Sequence, residues 1–162
     1  PLPAGWQLSG LTGVSHVVYP SRAYFDSSLW EARGVLTYQQ GPLWLQGSGG
    51  YGVDIGNGAR AGGNRHGLFA SLSARAALGG GVLGEVGWLY QNWAGARSYS
   101  PGLIDVARRQ HTQLLRAMVS LPLSKEHGLF LEYRTVRNRE NISLFAYQSR
   151  SVQLGWQWQF GR

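Results

Sequence analysis

Ser151-Val152-Gln153-Leu154-Gly155-Trp156-Gln157-Trp158-Gln159-Phe160 alternates large apolar residues with small or polar ones over ten positions. Only an extended strand, whose successive side chains point to opposite faces, turns that spacing into one greasy and one polar face. Upstream of this stretch the same period of two recurs. Leu129, Leu131, Tyr133 and Thr135 interleave with Phe130, Glu132, Arg134 and Val136, and Leu115, Ala117, Val119, Leu121 and Leu123 with Leu114, Arg116, Met118 and Ser120. Val82, Val86, Trp88 and Tyr90 oppose Glu85, Leu89 and Gln91; the even-numbered residues from Leu68 to Leu78 oppose Ser71, Ser73 and Arg75. Leu43, Leu45, Tyr51 and Val53 oppose Gln46, Ser48 and Asp54, and Trp30, Ala32, Leu36 and Tyr38 oppose Glu31, Arg33 and Thr37. A weaker first segment, Trp6 to Tyr19, sets Trp6, Leu8, Val14 and Val18 against Gln7, Ser9 and Ser15. Each of these eight segments is long enough to cross a bilayer as a tilted strand.

The connections alternate in length. Tight turns are expected at Gln40-Gly41-Pro42, at Gly79-Gly80-Gly81 and at Ser124 to His127, with long polar links at 20–28, 56–67, 93–110 and 138–144. Short turns at one end and long loops at the other are the layout of outer-membrane barrels, with the long loops outside and both termini periplasmic.

Composition agrees. The chain of 162 residues is one domain by length, with 24 glycines and 12% aromatics, but only 14% charged residues against the usual quarter or so. The absence of cysteine excludes a disulfide framework or thiol chemistry. No apolar run approaches the ~18 residues of a membrane helix. The chain opens on Pro1 with neither a basic n-region nor an apolar h-region, so either processing or a longer parent chain is expected. The net charge of +7 is carried almost wholly by arginine, Lys125 being the only lysine. Because these arginines divide into two groups, neither needs a nucleic-acid partner.

The first group lies mid-strand on the polar face: Glu31, Arg33, Arg75, Glu85, Arg116, Glu132 and Arg134. A soluble barrel would clothe its outer face in Lys, Glu and Asp, whereas here the second face is Ser, Gly, Gln and Thr with this nearly balanced set. Enclosed in a barrel the charges can pair, arginine offering carboxylates a planar, permanently charged fork. Trp6, Trp30, Tyr38, Tyr51, Trp88, Tyr90, Trp156 and Trp158 lie on the other face near strand ends, as interfacial girdles would. Since an open edge cannot exist in hydrocarbon, closure is expected. The sequence is therefore read as all-β, a transmembrane antiparallel up-and-down barrel of about eight strands. It would form a single domain over 1–162 in a bacterial outer membrane. Eight strands leave an interior just wide enough for side chains to fill, so the charge network is expected to plug it; in a wider barrel it would line a pore.

Glu132-Tyr133-Arg134, the run from Asn138 to Tyr147 and the closing Val152 to Phe160 resemble the last hairpin of certain outer-membrane proteins. In those proteins a C-terminal barrel follows periplasmic tetratricopeptide repeats: surface-lipoprotein assembly modifiers, exopolysaccharide exporters and phage-adsorption receptors. The resemblance covers about the last fifty residues. It implies a signal for the barrel-assembly machinery on Val152, Leu154, Trp156, Trp158 and Phe160, and a surface polysaccharide or lipoprotein as cargo. Gly161-Arg162 after the terminal aromatic departs from the pattern, as does the absence of the repeats and of about half the strands.

The second group of arginines is assigned to the long loops: Arg22, Arg60, Arg65, Arg97, Arg108, Arg109, Arg137, Arg139 and Arg150. Lipopolysaccharide phosphates are their natural counter-charge at an outer-membrane surface. Four histidines need weighing: His16 near the top of the first strand, His66 in the second long loop, His111 at the loop-facing end of the sixth strand, and His127 in a short turn. Ser15 points to the opposite face from His16, and His111 with Asp105 and Ser98 or Ser100 is the only loose catalytic set. No two histidines have metal-ligand spacing on a strand. The expectation is an anchor or translocation unit without catalytic residues, metal or cofactor. Its partners would be outer-membrane lipid, lipopolysaccharide, the assembly machinery and a periplasmic export complex. The alternatives are a sealed barrel whose basic loops serve lipopolysaccharide binding, adhesion or phage attachment, and a lipid-A-modifying hydrolase or acyltransferase.

Overall fold

A computed structural model describes residues 2–158. Eight strands follow one another: β1 Trp6–Val17, β2 Ser27–Gln40, β3 Leu43–Gly56, β4 Arg65–Gly79, β5 Val82–Ser100, β6 Ile104–Pro122, β7 His127–Glu140 and β8 Tyr147–Trp158. Each pairs antiparallel with the next in one up-and-down sheet of order β1 to β8. Single turns of 3-10 helix at Ala23–Phe25 and Ser143–Phe145 interrupt two of the loops. The tight turns fall where expected. Gly79, Gly80 and Gly81 adopt φ of 97°, 58° and 78°, a left-handed run only glycine enters readily, and it reverses the chain between β4 and β5.

The link 93–110 is not a loop. β5 runs on to Ser100 and β6 starts at Ile104, paired through Ala94↔Arg109, Ser98↔Ala107 and Ser100↔Ile104 with two register shifts, so only Pro101-Gly102-Leu103 turns the chain. Ala94, Gly95, Ala96, Arg97, Ser98, Tyr99 and Ser100 follow one another without a period-two apolar alternation, yet backbone pairing continues. β7 likewise continues to Glu140, and the first strand ends at Val17 rather than Tyr19.

Register sorts the residues by face. Trp6, Tyr38, Leu45, Ala74, Val86, Ala117, Tyr133 and Val152 are successive partners across all eight strands, an unbroken apolar rung. The adjacent rung on the opposite face is Gln7, Thr37, Gln46, Ser73, Gly87, Arg116, Arg134 and Ser151, with no apolar side chain at all. Burial runs opposite to that of a water-soluble sheet. Along the middle of β2, Trp30, Ala32, Gly34 and Leu36 are exposed, while Glu31, Arg33 and Val35 between them are sheltered. Phe69 and Ile142 are the only buried large hydrophobics among the described residues. We call the polar face inner and the apolar face outer.

On the inner face, aromatic rings lie over glycines of the neighbouring strand: Phe69 over Gly50, Trp93 over Gly67 and Phe130 over Gly155, each pair being register partners. The rings fill the space that the missing side chains leave. A Cβ on Gly67 would stand 2.5 Å from the Asn92 carbonyl oxygen and 2.6 Å from the Trp93 ring, whereas one on Gly10 would meet nothing within 4 Å. Gly67→Ala should therefore cost about 1–3 kcal/mol in denaturant unfolding followed by Trp fluorescence. Gly10→Ala should stay within about 0.5 kcal/mol of the parent.

β1 and β8 are the two edges, and no pairing joins them among the described residues. Apart from Gly13 and Gly155, every residue of these two strands is exposed, on both faces.

Candidate functional site: an apolar outer face and a charged inner face

The eight aromatics expected to form girdles all share the outer face. Trp6 packs on Tyr38 at 4.8 Å between ring centroids, Trp88 stacks with Tyr90 at 6.1 Å, and Trp156 with Trp158 at 6.2 Å. Around them Leu8, Leu68, Leu72, Val86, Leu131 and Leu154 are each more than half exposed. This is a continuous apolar surface spanning all eight strands, far beyond the few hundred Å² that soluble monomers commonly expose in one patch.

On the inner face, six of the seven expected charges are brought together. Arg75 bonds Glu85 at 2.6 Å, Glu85 reaches Arg116 at 3.7 Å, and Arg116 bonds Glu132 at 2.8 Å, a chain running across β4, β5, β6 and β7. Glu31 and Arg33 pair separately at 3.7 Å, and the Arg33 guanidinium lies 4.8 Å from the centre of the Phe69 ring. Arg134, register partner of Arg116, makes no ion pair among the described residues. Both clusters balance to zero, leaving Arg134 as the surplus charge. The network is only partly sheltered, with the Arg75 side chain 58% exposed.

Toward the loop end, two carboxylates that sequence reasoning passed over organise the arginines. Asp54, almost wholly buried, accepts from Arg60 at 3.0 Å and Arg65 at 2.6 Å. The Glu140 side chain is fully buried, takes both arms of the Arg108 fork at 2.6 Å, and also accepts from Asn138 at 2.9 Å. Asn138 additionally donates to the Phe145 carbonyl and accepts from Thr112, and Arg108 lies 4.3 Å from the centre of the Phe145 ring. Arg60, Arg65, Arg108, Trp93, Tyr99 and Gln110 border a cavity of about 160 Å³. The recoverable signal was parity, because Asp54 and Glu140 fall on the same face as the mid-strand charges.

The second arginine group is therefore not a loop group. Arg22 and Arg60 are in loops, Arg65 opens β4, and Arg97, Arg108, Arg109, Arg137, Arg139 and Arg150 sit on strands. They are strand residues because pairing extends past the apolar zone, where polar side chains suit either face.

The histidines are also placed differently. His66 lies within β4, His111 well inside β6, and His127 begins β7. His16 Nδ1 bonds Ser28 Oγ at 2.8 Å, His111 meets the Tyr90 hydroxyl at 3.4 Å, and His127 stacks on Trp156. Asp105 Oδ1 accepts from the Gly102 backbone N–H, six residues along β6 from His111 and roughly 20 Å away in an extended strand, so the loose catalytic set is not assembled. Val152, Leu154, Trp156 and Trp158 share the outer face of β8, whereas Phe160 and Gly161-Arg162 lie outside the described residues. No protein-family model, curated protein or solved structure matches this chain.

Proposed function

We propose that this chain forms part of the wall of a transmembrane β-barrel in a bacterial outer membrane, serving as an anchor or translocation unit. The observation that carries the reading is the inverted sheet: large apolar side chains are exposed across one face of all eight strands, while the mid-strand charges face the other way. Hydrocarbon is the solvent that makes such a face favourable, and it demands that every backbone group be paired. The two open edges then need partners. An eight-strand barrel would fill its own interior with side chains. Here β1 and β8 expose both faces and Arg75 is more than half exposed, which favours a wider barrel whose further strands pair with β1 and β8.

In a wider barrel the Arg75–Glu85–Arg116–Glu132 chain lines a water-filled lumen and gives it alternating charge. That lining supports translocation, and the resemblance of the last hairpin points to a surface polysaccharide or lipoprotein as cargo. Single-channel recording of the protein in planar bilayers tests the reading, with the fold checked beforehand by heat-modifiable gel migration. Stable, ion-selective conductance is expected. Folded but silent protein would remove translocation and leave anchoring.

A further inference from the structure

Beyond the inner-face charges and the girdles, the outer face of β6, β7 and β8 carries a basic cluster that neither explains. Arg109, His111, Arg137, Arg139 and Arg150 share the parity of the apolar rungs and are all exposed. Register places His111 beside Arg139, Arg137 beside both Gln113 and Gln148, and Arg150 beside Thr135. With strands about 4.8 Å apart and alternate residues about 7 Å apart, the four guanidinium groups stem from a patch on the order of 20 Å across. None of these arginines makes an ion pair among the described residues, in contrast to Arg60, Arg65 and Arg108. The carboxylates of Glu31, Asp54, Glu85, Glu132 and Glu140 all belong to the opposite face by register, and Asp105 is engaged in its hairpin tip.

The patch adjoins the apolar surface on its loop side. Toward the tight turns, Leu115 lies four residues from His111, Tyr133 four from Arg137 and Val152 two from Arg150, on the same three strands and the same face. Its backbone is held firmly: Asn141 accepts from the Arg109 N–H at 2.7 Å and donates to the Ala107 carbonyl at 2.8 Å. Four uncompensated forks on a lipid-facing wall would be unfavourable unless an anion meets them there.

We propose that this face binds the phosphates of a phosphorylated glycolipid headgroup in the outer leaflet, its acyl chains lying along Leu115, Tyr133 and Val152. The proposal rests on the membrane reading and moves the anion contact from the loops to the barrel wall. Arginine forks suit phosphate oxygens bidentately, and the headgroup zone begins where the apolar rungs end.

The test is retention of diphosphoryl lipid A by protein folded into phosphatidylcholine vesicles containing it, then extracted in mild detergent and weighed by native mass spectrometry. Changing Arg137, Arg139 and Arg150 together to Gln should lower retention by about tenfold or more. The loop variant Arg22→Gln should retain the lipid as the parent does, and dephosphorylated lipid A should bind the parent as poorly as diphosphoryl lipid A binds the triple variant. Equal retention by parent and triple variant, or of the two lipids by the parent, overturns the proposal. Membrane entry is read separately as protection from added protease. Entry without phosphate selectivity sinks this proposal alone, whereas failure to enter sinks the membrane reading with it.

Discussion

Leu72→Arg is expected to destabilise the folded protein in lipid by about 2–4 kcal/mol, the cost of a cation on the lipid face of a strand near mid-membrane. Leu72 is 59% exposed, its register partners are Gly47 and Trp88, and it occupies the middle of β4. An arginine at so exposed a site in a water-soluble sheet would change stability by about 0.5 kcal/mol or less. The two solvents thus predict different outcomes for one substitution. Equilibrium unfolding in guanidinium with lipid vesicles present, using Trp fluorescence, reads the difference directly.

Glu140→Gln should be the most damaging single change at the loop end. The carboxylate satisfies both arms of the Arg108 fork and one Asn138 N–H with no access to water, so its loss strands a cation against the Phe145 ring. Removing one partner of a fully buried pair costs about 3–5 kcal/mol; because Arg108 is 31% exposed and can recruit water, about 2–4 kcal/mol is expected. The damage should be local as well as global. Asn138 also holds the Phe145 carbonyl, so hydrogen exchange at residues 141–146 should accelerate more than in β2 or β3. Uniform acceleration across the sheet would mean that the pair does not organise this loop.

The strand count and tight turns were legible because an amphipathic strand must alternate and because glycine is nearly obligatory at left-handed turn positions such as Gly80. The alternation also divided the side chains correctly, since Arg75, Glu85, Arg116 and Glu132 all lie opposite Val86 and Leu115. Legibility ended where one face stopped being apolar. Within 93–110 small and polar residues such as Ala94, Gly95, Arg97 and Ser98 replace the apolar alternation, so the sequence looked like a loop although the backbone remained paired. Ion-pair partners were hidden for a different reason. Arg108 and Glu140 lie 32 positions apart and meet only through the β6–β7 register, which no local pattern encodes. The edge state of β1 and β8 depends on which strands face them, and that is likewise a property of the assembled sheet.

Two single-tryptophan proteins, one keeping Trp88 and the other Trp44, tell which face meets lipid when folded into vesicles of brominated-chain phosphatidylcholine. Trp88 lies on the outer face beside Leu72, and Trp44 on the inner face beside Arg75. Strong quenching of Trp88 by the bromines and little of Trp44 is expected, with aqueous iodide giving the reverse order. Equal bromine quenching of both residues, or quenching of Trp88 by iodide alone, would mean that the apolar face is not the one that meets lipid.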